Sequence, residues 1–271
     1  MKRINSLLQV EYREDVCWLT VNRAEDRNSI NTALMEELDR ALTEAEAVPV
    51  RAAVITGAGD TYFIGGADGV EMMQCDPDRA AAFSRRIQDL FNRLEASPLV
   101  LVAAINGLCF GGGYELALAC DFRIAGDRVH IGLPEVKVGL IPGGGGTQRL
   151  PRLVGMGRAL EIILSGRLYP AQEALELNLV HALVPAERLL EETAGFLKPI
   201  LKNPAYALAQ AKRAVRASQG APLAEGLRVE TGEFRKCFDH SYFVQLMCRQ
   251  IKTGVLSTTA LLPEGFCEEK G

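Results

Sequence analysis

The sequence predicts an α/β protein with an α-helical C-terminal lobe. Up to about residue 180, short runs of bulky and β-branched residues alternate with segments whose apolar residues recur at helical spacing. Residues 99–105 (LVLVAAI) are apolar throughout, as expected of a strand that is buried on both faces of a parallel sheet. From about residue 186 the strand patterns stop and the helical patterns continue. We therefore expect an α/β core over residues 1–200 and a helical lobe over residues 201–271.

The first strand and helix are predicted near the N-terminus. Residues 16–21 (VCWLTV) have the composition of a strand, and a polar loop follows over residues 22–30. Asn31 is a suitable N-cap for a helix that runs to about Ala45. Its apolar residues fall on one face: Leu34, Met35, Leu38, Ala41, Leu42 and Ala45.

The middle of the chain predicts two more strands around a second helix. Residues 50–56 (VRAAVIT) form a strand that ends at the glycines of residues 57–59. Asp76 caps the next helix, and Pro77 occupies its first turn. Pro98 ends that helix before the apolar strand of residues 99–105.

The second half predicts a glycine-rich connection and then mainly helices. After the glycines of residues 107–113 we expect a helix over residues 114–119 and a strand over residues 122–125. Residues 126–151 contain many glycines and few helix formers, so they are predicted as loop. The remaining predictions are helices over residues 158–164, 171–177, 203–218 and 222–252.

Composition excludes several classes of protein. Lys and Arg number 30 against 34 Asp and Glu, for a formal net charge of −4, which offers no general reason to bind nucleic acid. The longest apolar stretch, residues 98–105, is far shorter than the ~20 residues that span a bilayer, so no membrane association is expected. The N-terminal residues lack the apolar core of a secretory signal. These observations predict a cytoplasmic protein.

Cysteine and histidine usage predicts no disulfide framework and no metal. The seven cysteines are an odd number without a CxxC pair, and several stand in apolar segments, so reduced and buried thiols are expected. The three histidines are isolated and form no HExxH motif.

The first two of three glycine clusters, residues 57–59 and 65–66, are candidate ligand sites. Gly57 and Gly59 follow a strand, but Tyr62 stands where a dinucleotide-binding fingerprint requires its third glycine. No glycine precedes a lysine, so a P-loop is absent. The pair Gly65 and Gly66 allows close approach of a ligand, with an ordinary turn as the alternative.

The third cluster, residues 111–113, links a buried strand to a helix. The first amides of a helix lack internal acceptors and carry partial positive charge, so this is a natural site for an anion or oxyanion. Plain packing of helix against strand is the alternative. Glu115 would lie in the first turn of the helix, and Glu135 follows 20 residues later in an uncharged neighbourhood. A carboxylate in such a place is more often solvated or salt-bridged than catalytic.

Three long segments together resemble the crotonase (enoyl-CoA hydratase/isomerase) superfamily. They read FIGGADGVEM from residue 63, INGLCFGGGYELALACDFRIAG from residue 105 and IGLPEVKVGLIPGGGGTQRLPRLVG from residue 131. An N-terminal signature resembles the family as well, in residues 21–23 (VNR) and 27–31 (RNSIN). The resemblance covers about residues 10–200, and motifs of this length are specific to the family.

The resemblance implies a crotonase-like spiral of β-β-α units, with the C-terminal helices forming a homotrimer or a dimer of trimers. It implies an acyl-CoA thioester as substrate and no separate cofactor, because coenzyme A is part of the substrate. The thioester oxygen would bind the amides of Ala67 and Gly112, which form an oxyanion hole. The substrate-binding residues carried over are Ala67, Asp68, Gly69, Val70 and Gly112.

Two glutamates imply the reaction. Hydratases of this family resemble one another in having acidic residues at the places of Glu115 and Glu135. Water must lose a proton as it attacks C3, and C2 must gain one, which two carboxyl groups on one face of the alkene can manage. We expect Glu115 to be the base and Glu135 the acid, although neighbouring carboxyls titrate as a pair.

The chain departs from the family at several places. Gly65 stands where alanine is usual, and Gly69 where a bulky aliphatic residue lines the adenine pocket. The usual C-terminal ending is absent, and the chain ends in LLPEGFCEEKG, so an unusual acyl group is expected. The alternatives are an enoyl-CoA isomerase, which needs one carboxylate, another acyl-CoA enzyme such as a decarboxylase, and a non-catalytic relative.

Overall fold

The computed structural model describes residues 2–4, 7–253, 255 and 267, with residues 2–4 as backbone only. The chain divides into two compact units, Met1–Ala205 and Tyr206–Gly271. No helix among the described residues has the length and apolar character needed to cross a bilayer.

The described strands all belong to the first unit. In chain order they are β1 (Lys2–Ile4), β2 (Leu8–Arg13), β3 (Val16–Val21), β4 (Ala52–Gly57), β5 (Tyr62–Ile64), β6 (Val100–Ile105), β7 (Leu108–Phe110), β8 (Phe122–Gly126), β9 (His130–Gly132), β10 (Tyr169–Pro170) and β11 (Ala182–Val184). A large sheet has the order β1-β2-β3-β4-β6-β8-β11, and a small one has the order β10-β9-β7-β5. The pairs from β3 to β11 of the large sheet are parallel.

Most of the described helices also belong to the first unit. They are α1 (Thr32–Glu46), α2 (Gly69–Met72), α3 (Pro77–Ala96), α4 (Gly112–Ala119), α5 (Gly146–Val154), α6 (Met156–Ser165), α7 (Ala171–Glu176) and α8 (Leu189–Ile200). Short 3₁₀ helices cover Ala24–Asp26, Glu135–Val138 and Ala186–Arg188. The second unit contains α9 (Ala205–Ala217), α10 (Leu223–Cys237) and α11 (Tyr242–Lys252), with α9 starting at the boundary.

A repeating path builds the first unit. The chain passes through a strand of the large sheet, a strand of the small sheet and then helix three times: β4-β5-α2-α3, β6-β7-α4 and β8-β9-α5. Every residue of β4 and β6 is buried, because helices and the small sheet cover the faces of these central strands. The predicted spiral of β-β-α units is therefore confirmed.

Local signals placed the two long helices of the core. The side chain of Asn31 accepts a hydrogen bond from the amide of Leu34, and that of Asp76 accepts one from the amide of Arg79. Pro77 stands at the start of α3, where its missing N–H costs nothing. The apolar stripe predicted for α1 is buried as a whole.

Part of the predicted loop over residues 126–151 is regular structure. It contains β9, the 3₁₀ helix after Pro134 and the start of α5. Glycine at residue 146 and Pro151 within the helix give α5 low intrinsic helix propensity. Contacts with Glu115 and with α3 hold this helix instead, and a local pattern does not show such contacts. The prediction also missed β2, α8 and the three-residue strands of the small sheet, all of which carry weak local signals.

The second unit corrects two further predictions. The helix expected over residues 222–252 is broken between Cys237 and Tyr242 into α10 and α11. Cys248 and Cys267 form a disulfide. Their Cα atoms lie 5.1 Å apart, which is within the usual range for a disulfide. The expectation of reduced thiols is therefore wrong for these two, while the other five cysteines are free. The unusual ending over residues 261–271 lies outside the described residues apart from Cys267.

Candidate active site

Two glycine-rich loops meet at one edge of the small sheet. Strands β5 and β7 pair in parallel, so the loops that follow them leave the sheet side by side. A Cβ atom built on Gly112 would lie 3.2 Å from the amide nitrogen of Ala67. One on Gly113 would collide with the backbone of Ile64. Glycine is therefore required here for the two backbones to approach each other.

Each of the two loops has one amide without an acceptor in the part of the chain that the structure describes. The amide of Ile30 donates to the oxygen of Gly66 (2.9 Å), and the amide of Asp68 donates to the oxygen of Ile30 (2.8 Å). Between these two bonds, the amide of Ala67 has no acceptor among the described residues. Gly112 is the first residue of α4, where amides lack intrahelical acceptors and the helix dipole is positive. Two N–H groups are thus free to bind a developing oxyanion.

Glu115 is buried beside this pair of amides. It lies in the first turn of α4 with 3% of its surface exposed. Its Oε1 accepts hydrogen bonds from the amides of Gly144 (2.8 Å) and Gly146 (2.7 Å). Burial raises the pKa of Glu115 above its ordinary value, while these two amides and the charge of Arg149 act in the opposite direction. The carboxyl group is thus held through one oxygen.

Glu135 reaches the same place from another element. It begins the 3₁₀ helix after Pro134, and its Oε1 lies 3.2 Å from the position of a Cβ built on Gly111. Its Oε2 is buried and has no hydrogen-bond partner among the described residues. Burial raises the pKa of Glu135 to about 7, and the charge of Glu115 adds to the rise. The structure therefore brings the two predicted glutamates together.

The loop after Ala67 carries the other predicted substrate-binding residues. Oδ1 of Asp68 caps α2 by accepting from the amides of Val70 (3.0 Å) and Glu71 (3.1 Å). Although burial opposes it, these bonds and the ion pair with Arg23 lower the pKa of Asp68. The Asp68 side chain is thus engaged in holding the loop. Gly69 and Val70 are exposed, and a Cβ on Gly69 would meet nothing within 4 Å.

Gly65 has a local explanation. A Cβ built on it would lie 2.9 Å from both the Cβ and the carbonyl oxygen of Arg27. The amide of Gly65 also donates to that oxygen at 2.9 Å. The alanine usual in the family would therefore require Arg27 to shift in this chain.

Sequence reasoning missed two arginines that support the site. Arg23 donates through Nη1 to the oxygen of Ser29 (2.6 Å) and through Nη2 to Asp68 (3.0 Å). Arg149 lies behind Glu115 and donates to the oxygen of Gly144 at 3.1 Å. Both stand inside recognised motifs, but Asp68 lies 45 residues from Arg23, and Glu95 lies 54 residues from Arg149, so the motifs alone did not indicate these ion pairs. Among the described residues, no three His, Cys, Asp or Glu side chains are grouped to hold a metal ion.

The fold and the paired glutamates define a class of acyl-CoA enzymes, and comparison places the chain within it. The sequence profile of the enoyl-CoA hydratase/isomerase family matches residues 11–249. The chain belongs to this family.

Relatives with a named activity match over most of their length. The chain is 35% identical to a short-chain-enoyl-CoA hydratase from Clostridium acetobutylicum over 239 residues, which is 88% of this chain and 91% of the relative. It is 36% identical to a crotonyl-CoA hydratase from Syntrophomonas wolfei over 230 residues, or 84% and 88% of the two chains.

Solved structures share the fold. A crystal structure of an enoyl-CoA hydratase from Bacillus anthracis superposes with a TM-score of 0.86 at 36% identity, covering 91% of this chain and 96% of the other. One from Geobacillus kaustophilus superposes with a TM-score of 0.89 at 27% identity, covering 93% and 96%. The crotonase-like fold expected from the sequence is confirmed.

Proposed function

We propose that the protein is an enoyl-CoA hydratase, which adds water across the C2=C3 bond of a 2-enoyl-CoA thioester to give a 3-hydroxyacyl-CoA. One observation carries this proposal: the buried carboxyl group of Glu115 and the half-buried one of Glu135 both lie at the glycine loop that starts α4, where the amides of Gly112 and Ala67 have no acceptor among the described residues. Named hydratases among the relatives support the same reaction.

The two amides supply the electrostatic part of the mechanism. When water attacks C3, negative charge moves to the thioester oxygen and an enolate forms. The amides of Ala67 and Gly112 donate to this oxygen, and the N-terminus of α4 adds its partial positive charge. One preorganised donor of this kind is worth roughly 3–4 kcal/mol of the barrier.

The two glutamates move the protons. Glu115 accepts a proton from water as the water oxygen bonds to C3, and Glu135 donates its proton to C2. Oε1 of Glu115 is occupied by two amides, which leaves Oε2 as the oxygen for water. Glu135 has a pKa of about 7, so a protonated fraction exists near neutral pH. Addition is syn because both groups lie on the same side of the substrate, and proton exchange with solvent restores the pair.

The loop after Ala67 is proposed to bind the coenzyme A part of the substrate. Asp68, Gly69 and Val70 continue directly from the oxyanion-binding amide into α2. Gly69 and Val70 are exposed and so accessible to a ligand, while Asp68 keeps the turn in shape. No further cofactor is needed for hydration, because the thioester itself stabilises the carbanion.

Assembly and location extend the proposal. We propose a trimer or dimer of trimers, supported by exposed apolar side chains on one face of α6, namely Met156, Leu160 and Leu164. In the second unit, α10 likewise exposes Leu223, Leu227 and Phe234. We propose the cytoplasm as the location because five of the cysteines are free, and the Cys248–Cys267 bond is the observation that opposes this location. A role in fatty-acid metabolism follows from this substrate class.

The test is loss of enoyl-thioester absorbance with crotonyl-CoA and longer 2-enoyl-CoA thioesters. We expect hydration by the wild type and a loss of about 10²- to 10⁴-fold in Glu115→Gln and in Glu135→Gln. Glu176→Gln is the matched control, because Glu176 is an exposed glutamate on α7. Near wild-type rates in both site variants would contradict the proposal. Conversion of a 3-enoyl-CoA to a 2-enoyl-CoA without hydration would indicate an isomerase, and no reaction with any thioester would indicate a non-catalytic relative.

A further inference from the structure

The residues that hold Glu115 form a loop of four glycines. We call residues 143–146 the holding loop, because its Gly144 and Gly146 amides bind Oε1 of Glu115. A Cβ on Gly144 would lie 2.8 Å from Oε2 of Glu115, so side chains are not tolerated here. Glycine backbone has the largest conformational freedom of any residue. The loop therefore needs other groups to keep its amides on the carboxylate.

A polar stripe on α3 supplies the first of these groups. Ser84, Gln88, Asn92 and Glu95 are spaced by four, four and three residues, which places them on one face of the helix. The side chains of Ser84 and Gln88 each donate to the carbonyl oxygen of Gly143 at 2.7 Å. One end of the holding loop is thus tied to α3.

Arg149 connects the same stripe to the centre of the loop. Its Nη1 donates to the oxygen of Gly144 (3.1 Å), and its Nη2 donates to Asn92 (2.7 Å). Nε and Nη2 both donate to Oε2 of Glu95, at 3.1 and 3.0 Å. The Arg149 side chain is 12% exposed, and its planar guanidinium group is held by hydrogen bonds to three residues.

Gly145 makes room for the arginine. Its φ of 105° lies in the region that favours glycine, and a Cβ built on it would collide with Nη1 of Arg149. The loop conformation and the arginine position are therefore mutually dependent.

The charges that face Glu115 come from two elements. Arg149 of α5 lowers the pKa of Glu115 against the larger effect of burial, and Glu135 of the 3₁₀ helix is the neighbouring carboxyl group. Glu95 of α3 lies on the far side of Arg149, with which it pairs. Removal of the Arg149 charge would raise the pKa of Glu115 further.

We propose that Arg149 is a positioning residue for Glu115, holding the Gly144 peptide so that the loop amides stay on the carboxylate. This role rests on the proposed hydratase function, in which Glu115 is the base. The arginine acts through the loop and touches no substrate.

The experiment compares Arg149→Met and Arg149→Lys with Arg152→Met as the matched control. Arg152 lies on the same helix but is exposed, and it donates only to the oxygen of Gln148 among the contacts described. We measure the pH profile of kcat/KM with crotonyl-CoA and the hydrogen exchange of a peptide that covers residues 143–146. In Arg149→Met we expect kcat to fall about 10- to 100-fold, the acidic limb to move to higher pH, and exchange to become faster. In Arg149→Lys, which keeps the positive charge, we expect the acidic limb to return closer to its wild-type pH than kcat returns to its wild-type value. Arg152→Met should change neither the acidic limb nor kcat.

An unchanged acidic limb together with unchanged exchange in Arg149→Met would overturn the proposal, as would equal changes in Arg152→Met. If Arg149→Met does not fold, Glu95→Gln replaces it in the experiment. This substitution weakens the pair that holds Arg149 but leaves the positive charge of Arg149 in place. It should speed exchange of the loop with a smaller fall in kcat, and unaltered exchange would again refute the role. If the wild type hydrates no 2-enoyl-CoA, the hydratase proposal fails, and the exchange measurement still decides whether Arg149 holds the loop.

Discussion

The amide nitrogen of Gly146 lies 2.7 Å from Oε1 of Glu115, and this contact brings the N-termini of two helices to one carboxylate. Glu115 is in the first turn of α4, and Gly146 is the first residue of α5. Both helix ends therefore favour negative charge at this carboxyl group. Without them, burial alone would favour the protonated form of a side chain that is 3% exposed. On balance burial still raises the pKa of Glu115, and the two amides together with the charge of Arg149 limit this rise at the proposed base.

The pH dependence of the reaction should have a descending limb near neutrality. In the proposed mechanism, hydration needs a proton on Glu135, whose pKa is raised to about 7. We therefore expect kcat/KM with crotonyl-CoA to fall as the pH rises through about 7, with an apparent pKa that belongs to the coupled glutamate pair. Initial rates across the pH range provide the measurement. A rate that stays constant well above this pH would argue against Glu135 as the acid.

The free energy of unfolding should also depend on Glu135. Its pKa rises from an ordinary 4.5 to about 7, so between these pH values the folded chain keeps a proton that the unfolded chain has released. Its contribution to stability is present below pH 4.5 and is lost as the pH rises to about 7. Glu135→Gln should therefore gain on the order of 2 kcal/mol relative to the wild type between pH 5 and pH 8.

Urea denaturation of both proteins at the two pH values measures this difference. Glu176→Gln, an exposed glutamate, serves as the control and should show no such gain. A Glu135→Gln variant that follows the wild type at both pH values would show that the Glu135 carboxyl titrates normally.

Gly112→Ala should damage catalysis more than folding. Its new Cβ would lie 3.2 Å from the Ala67 nitrogen, so the two amides of the proposed oxyanion hole would move apart by a few tenths of an ångström. Loss of one aligned donor costs about 10²- to 10³-fold in kcat. Gly157→Ala is the matched control, because a Cβ on Gly157 would meet nothing within 4 Å. Equal kcat values for the two variants would contradict the assigned role of Gly112.

Arg23→Met should lower stability through the loop that carries Ala67. The substitution removes the ion pair of Asp68, whose side chain is 13% exposed, and the donor to the oxygen of Ser29. Because a nearly buried charge loses its partner, we expect a loss of about 2–3 kcal/mol in the free energy of unfolding. Arg158→Met, which breaks an exposed pair with Glu161 on α6, should cost less than about 1 kcal/mol. Thermal or urea unfolding distinguishes the two, and similar losses would refute the prediction.

Local sequence patterns predicted the elements that carry strong local signals. The caps Asn31 and Asp76, the apolar face of α1 and the central strands were visible because they depend on neighbours within a few residues. The helix α5 was missed since its glycine and Pro151 lower helix propensity, and distant contacts compensate. The three-residue strands of the small sheet are too short to show a period.

The sequence by itself determined the α/β class and the family resemblance, and it led to the proposal that Glu115 and Glu135 are the reacting carboxyls. Tertiary structure alone decided how these groups are held, because the donors to Glu115 come from 29 and 31 residues further along the chain. The pKa of a buried carboxyl depends on what surrounds it in space, and only the folded chain assembles those surroundings. The polar stripe of α3 and Arg149 became recognisable as supports for the same reason.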